Sequence, residues 1–373
     1  IFYITVCSIF ICKKALTFRK NIQNFRVVAL TFRLNNKKIG KVEKNEHWQE
    51  VCFFVKIFVM KNELMKPFKL CPVLKDYIWG GIKLSTIWGK SDSPKKIAES
   101  WELSMYPNSE SICPNGDTLK DLYNNNPDLF GDKVMDYQFF PMLIKILDAT
   151  NDLSIQVHPD DGYALQREEQ YGKIETWYVL DVEPGAYLLV GFKKDTTRIE
   201  FEDAIKNGTV ADLLNRVEVK AGDCLTIYPG TVHAIMKGIT IYEIQQNSNI
   251  TYRIYDYDRK DVGGNKRPLH LEQAEEIINF EATKINIVND YVSEGFGKFR
   301  NIEKTAYYSL DEYVLKGKIS LSKSKSFMAI TVVDGDVLLN NEQIAKKGDT
   351  YFVPANYSLI LESNDAKVLV AYL

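Results

Sequence analysis

Two stretches carry one pattern. Residues 222–235 read GDCLTIYPGTVHAI and residues 348–360 read GDTYFVPANYSLI, each a Gly-Asp turn, an apolar strand, a proline-containing turn and a second strand. A unit used twice in this form constrains the chain to two similar β-sandwich or barrel modules. Eleven residues after the first glycine stands His233, whereas the matching position of the second copy is Leu359. Only the first module is therefore expected to carry a metal ligand.

The rest of the chain from Lys66 onward agrees with a mainly β protein: short apolar runs broken by Gly, Pro, Asn and Asp. Helical patterns are few. Asp117 is a candidate N-cap for a helix that stops at the run Asn124–Asn126, a short helix is expected after His158, and another in LHLEQAEEIINF. Residues 199–215 hold two short helical patterns broken at Gly208, which reads as a helical insertion between strands of the first module. Pro184 and Gly185 set a turn between two strands, the proline fixing φ and the glycine tolerating positive φ.

At 373 residues the chain is long enough for about two domains. A net charge of −2 points to no nucleic-acid or anionic-membrane partner, so any phosphate must be held by a few local cations. Six cysteines lie scattered without C-x-x-C spacing, the usage of a cytoplasmic protein with reduced thiols. Residues 1–64 differ in carrying twelve Lys or Arg against four Asp or Glu. Their opening apolar run is too short to span a bilayer and lacks the flanks of a signal peptide. They are expected to be an extension, with initiation at Met65 or Met60 and no role for Cys7 or His47. A catalytic module is expected over 65–285 and a metal-free β module over 286–373.

Side chains two apart on a strand share a face, so in LSIQVHPDD Ser154, Gln156 and His158 point one way while Leu153, Ile155 and Val157 point the other. An amide oxygen and an imidazole nitrogen at this spacing can bind one metal ion. A second strand puts Lys173, Glu175, Trp177 and Val179 on one face, and His233 follows the turn at Pro229 and Gly230. Gln156, His158, Glu175 and His233 thus make a set suited to zinc or another divalent transition metal. His270 reads as a helix-start or packing residue.

With these motifs in order, residues 66–373 resemble the type I mannose-6-phosphate isomerases, zinc enzymes of cupin (jelly-roll) fold, in their shorter bacterial form. The likeness rests on YIWGG, AESWELS, FPMLIKILDA, LSIQVHPDD, GKIETWYVL, YPGTVHAI and QQNSNITYRIYDYDR. It implies two cupin-type modules, one zinc per chain on the same four ligands, and a sugar phosphate as substrate. It further implies Arg253 and Lys173 as catalytic residues, and Ser154 and Lys145, the latter at the cleft edge, as substrate-binding. A monomer or weak homo-oligomer with no membrane partner is expected.

Two departures from the family pattern stand out: Tyr228-Pro229-Gly230 where many relatives have Pro-x-Gly, and Asn249 where many have Asp. An amide cannot serve as a carboxylate base. Lys173, a metal-bound water and Asp161 remain as acceptors for the C2 proton. Two rival readings are an inactive sugar-phosphate-binding cupin, which Asn249 keeps open, and an iron dioxygenase built on His158, Glu175 and His233.

Overall fold

The computed structural model describes residues 64–260 and 263–373, and what was expected of Cys7, His47 and initiation at Met60 lies outside them. Twelve strands build the first part of the described chain: β1 Phe68–Lys69, β2 Val73–Lys75, β3 Glu99–Leu103, β4 Met142–Ala149, β5 Ile155–Val157, β6 Glu175–Val182, β7 Tyr187–Phe192, β8 Leu214–Glu218, β9 Cys224–Ile227, β10 His233–Ile235, β11 Ile239–Gln246 and β12 Tyr252–Tyr255. Eight more follow: β13 Val292–Glu294, β14 Gly297–Lys304, β15 Ser309–Leu321, β16 Met328–Asp334, β17 Asp336–Leu339, β18 Gln343–Lys346, β19 Thr350–Val353 and β20 Leu359–Tyr372.

These strands make antiparallel sheets, and the protein has the mainly β, cupin-type architecture expected from the sequence. One sheet runs β2-β3-β4-β11-β6-β9, and a five-stranded one runs β12-β5-β10-β7-β8. The strands flanking the Pro184 turn therefore part company, β6 entering one sheet and β7 the other. That turn closes with Ala186 N–H donating to Glu183 O at 3.0 Å, with Gly185 at φ 82°.

Alternation along single strands explains the layering. On β6, Trp177 and Val179 face the space between the two sheets, where they meet Leu188, Val190 and Ile235, while Tyr178 faces the other way. On β4 and β11 both faces are covered, so MLIKILDA and ITIYEIQQ are buried at every residue. The outward face of that sheet packs through Ile144, Ile146 and Tyr242 against Leu310, Phe352 and Leu369 of the C-terminal sheet. The five-stranded sheet is backed by helices Asp161–Arg167, Arg198–Lys206 and Leu271–Ile277, with Phe201, Ala204 and Ala274 over Val157, Ala234 and Ile254. The helical insertion thus covers one outer face.

The sequence echo is repeated atom by atom. Gly222 and Gly348 sit at φ 94° and 89°, Asp223 and Asp349 accept on their side chains from Lys220 N–H and Lys346 N–H, and each glycine N–H donates to a valine carbonyl, Val179 or Val332, at 2.8 Å. The first turn leads from β8 into β9 and the second from β18 into β19, and in each case the incoming strand pairs with the one before it (β7, β17) while the outgoing strand pairs elsewhere (β6, β16). Where the first copy then places His233, the second buries Leu359 in the C-terminal core.

Two details differ from the sequence expectation. The helix at 119–125 is capped by Thr118, not Asp117, because Thr118 and Asp121 exchange hydrogen bonds in a capping box. Strand β1 pairs with β19, Phe68 opposite Phe352, so the N-terminal end of the described chain completes the C-terminal sheet. No helix among the described residues is long and apolar enough to cross a membrane.

Candidate metal centre and active site

Register across the five-stranded sheet gathers three of the expected site residues. His233 on β10 lies directly opposite Gln156 on β5, and Arg253 on β12 lies opposite Gln156 from the other side. Directly paired residues on neighbouring strands share a face, so these three side chains form one polar row. His158 follows at the end of β5, where its carbonyl accepts Gly230 N–H at 2.9 Å. Glu175 comes from the facing sheet at the start of β6. The ligating atoms of His158, Glu175 and His233 lie within 4.8 Å of one another, and all three residues are buried.

Backbone carbonyls aim both rings. His158 Nδ1 is 2.8 Å from Ile250 O and His233 Nδ1 is 2.9 Å from Thr231 O. A carbonyl only accepts, so each Nδ1 carries the proton and each Nε2 turns its lone pair inward. Burial, followed for His158 by the charge of Lys173, pushes the imidazoles down, His158 well below its ordinary value and His233 to about 4. Both are thus in the neutral form that binds metal.

The donor set fits a cation. His233 Nε2 lies 3.3 Å from Glu175 Oε1, and that buried oxygen has no hydrogen-bond partner. Two acceptors face each other there with no proton between them, which is costly in a dry interior unless positive charge is supplied. The Lys173 ammonium approaches the same space, in contact with Glu175 Oε2 and 3.1 Å from His158 Nε2. Gln156 Nε2 donates to His233 Nε2 at 3.4 Å, and its Oε1 accepts from Ser154 Oγ at 3.2 Å. A half-turn of this amide would present its oxygen to a metal instead. The residues therefore suit a divalent ion held by two imidazoles, one carboxylate and one amide oxygen.

Beside this cluster the facing sheet adds a charged row in register: Trp101 on β3 opposite Lys145 on β4, Lys145 opposite Glu243 on β11, and Glu243 opposite Trp177 on β6. Lys145 lies deeper than the cleft edge expected for it. It is 4% exposed, with Nζ 3.4 Å from Glu243 and 3.8 Å from Glu99. Trp177 Nε1 donates to Glu243 at 3.0 Å and Trp101 Nε1 to Glu99 at 2.6 Å. Burial lowers the Lys173 amine to about 8, with Glu243 opposing and Lys145 adding to the shift. Arg253 is half-buried. Its Nη1 donates to Pro268 O at 2.8 Å, and its buried Nε has no hydrogen-bond partner.

Several residues read from the sequence lie elsewhere. Asp161 accepts from Gly172 N–H and from Gln246 Nε2, each at 2.8 Å, and from the Tyr307 hydroxyl, so this carboxylate is fully engaged. Asn249 is exposed. His270 stands at the N-cap position of the helix Leu271–Ile277 without a side-chain capping bond, and its Nδ1 accepts Arg253 N–H at 3.1 Å. Glu99 and Glu243 are site residues not expected from the sequence, although a lone charge inside an apolar strand such as ITIYEIQQ signals a buried partner.

Two antiparallel sheets closing over a cluster of two imidazoles and a carboxylate make this a cupin-type protein with a candidate metal centre. Residues 67–179 match the family model described as phosphomannose isomerase type I, catalytic domain. Mannose-6-phosphate isomerase ManA of Bacillus subtilis is 37% identical over 317 residues, covering 83% of this chain and 99% of the relative. The chain belongs to the type I phosphomannose isomerase family. The crystal structure of the mannose 6-phosphate isomerase from Bacillus subtilis superposes with a TM-score of 0.75 at 31% identity, over 83% of this chain and all of the other. A mannose 6-phosphate isomerase bound with zinc and yttrium shares the fold at 18% identity and TM-score 0.66, over 82% of this chain and 99% of that one.

Proposed function

We propose that the chain interconverts mannose 6-phosphate and fructose 6-phosphate with one zinc held by Gln156, His158, Glu175 and His233. The observation that carries this reading is the buried pair of facing acceptors, His233 Nε2 and Glu175 Oε1, on whose polar row Arg253 also stands with a buried, unpartnered Nε. Family membership supplies the substrate: relatives 37% and 32% identical are named mannose-6-phosphate isomerases.

The reaction moves one hydrogen from C2 to C1 while the C1 carbonyl becomes a hydroxyl and the C2 hydroxyl a carbonyl. Negative charge gathers on an enediolate oxygen between these states. Zinc, when bound, supplies Lewis-acid stabilisation of that oxygen. Arg253, with a free donor already buried, stabilises the same charge at no reorganisation cost and orients the sugar. Lys173, whose burial brings it to about 8, holds or moves a proton near neutral pH. Ser154, through its hydroxyl beside Gln156, and Lys145, as the buried cation next to Trp101, are assigned to substrate binding.

Within this reading residues 65–285 form the catalytic module and 286–373 a metal-free one, the latter because Leu359 stands where His233 does. The enzyme is read as cytoplasmic, a monomer or weak homo-oligomer acting on a small molecule, in keeping with cysteines spaced for neither disulfide nor metal.

The test is turnover by the purified, zinc-loaded full chain on mannose 6-phosphate, with glucose 6-phosphate alongside. Fructose 6-phosphate from the mannose ester only is the expected result; no product from either would reject the reading.

A further inference from the structure

The segment that delivers Lys173 and Glu175 to the site is gripped residue by residue. Lys173 N–H donates to Pro159 O at 2.9 Å, and Gly172 N–H donates to Asp161 Oδ1 at 2.8 Å. Gln246 holds Ile174 from both sides, its Oε1 accepting Ile174 N–H at 2.9 Å and its own N–H donating to Ile174 O at 3.2 Å. The Gln246 amide also donates to Asp161 Oδ1 at 2.8 Å. Asp161 and Gln246 thus form one unit clamped on 172–174.

The remaining oxygen of that unit, Asp161 Oδ2, is held by the hydroxyl of Tyr307 from the loop between β14 and β15. The Tyr307 ring rests on Tyr171, the residue before the clamped segment, at a centroid distance of 5.5 Å. A cleft of about 280 Å³ opens beside this contact, lined in part by Asp161, Ile174, Gln246 and Tyr307. Side-chain packing is therefore incomplete there, and hydrogen bonds carry the positioning.

We propose that Tyr307 is a positioning residue for Lys173. Its hydroxyl orients Asp161, Asp161 and Gln246 fix the backbone at 172–174, and the C-terminal part of the chain thereby sets where the lysine amine stands. Catalytic groups must be held within a fraction of an ångström, and a misplacement of about 1 Å can cost roughly a hundredfold in rate. The proposal rests on the isomerase reading for its kinetic consequence, though not for its geometry.

The experiment compares Tyr307→Phe with Tyr178→Phe in the zinc-loaded full chain. Tyr178 also bridges to the C-terminal sheet, donating to Glu312 at 2.9 Å, but lies outside this clamp. Tyr307→Phe is expected to lower kcat about tenfold, leave KM within about twofold, keep the zinc content, and shift the side-chain NMR resonance of Lys173, assigned with Lys173→Arg. Tyr178→Phe should lower the Tm and leave both kcat and that resonance unchanged. In an Asp161→Asn background, Tyr307→Phe should cost nothing further. An unmoved Lys173 resonance with wild-type kcat, or a kcat that falls only in proportion to zinc, would overturn the proposal. A wild-type protein inactive on mannose 6-phosphate would count against the isomerase reading, and the resonance would still decide the clamp.

Discussion

His233 Nε2 and Glu175 Oε1 face each other at 3.3 Å, both as acceptors, one from each of two facing antiparallel sheets. Neither strand can withdraw its group. His233 is held in register between Gln156 and Val190, and Glu175 between Gln245 and Ile227. The fold itself thus maintains an electrostatic demand for a cation.

Replacing His233 with Ala removes one imidazole and leaves the pairing of β10 intact. Bound zinc should fall below one per chain together with activity, by more than the roughly 10- to 100-fold that loss of an outer-shell partner costs. Elemental analysis alongside the rate checks this. Full metal content and rate in the variant would reject the ligand set.

Lys145 stands between Glu99 and Glu243, all three buried. Lys145→Met should destabilise the protein by about 3–5 kcal/mol, since it strands buried carboxylates without a counter-charge. Adding Glu243→Gln should recover part of that loss. Denaturant unfolding of the two single variants and the double variant measures the coupling; strictly additive effects would mean the pair does not interact.

The repeated turns differ in what surrounds them. A Cβ on Gly348 would fall 2.2 Å from the Trp88 carbonyl oxygen, whereas on Gly222 its nearest neighbour would be the Tyr178 hydroxyl at 3.9 Å. Both Ala variants suffer the left-handed backbone penalty of about 1–2 kcal/mol. Gly348→Ala should lose roughly 1–3 kcal/mol more from the clash. Thermal unfolding of the pair decides it, and equal losses would contradict the packing described around Trp88.

What the sequence discloses follows strand periodicity. Ser154, Gln156 and His158 share a face because they are two apart, and the Gly-Asp turns announce themselves through residues that only such turns require. Sheet partnership is a different matter. Nothing local in β6 and β7 tells that they join opposite sheets, or that Phe68 pairs with Phe352. The cleft edge expected for Lys145 comes from the family resemblance alone; its depth depends on Glu99 and Glu243, which reach it from two other strands. Asp161 reads from the sequence as available for proton transfer, but Gly172, Gln246 and Tyr307 occupy it, the last from a loop 146 residues away in sequence.

The most direct measurement is a zinc titration of chelator-stripped full chain, following turnover of mannose 6-phosphate and bound zinc together. The account predicts no turnover without metal and a linear rise that stops at one zinc per chain, with His233→Ala showing neither tight binding nor rate. Full turnover by the metal-free protein, or a plateau reached without zinc at this site, would contradict it.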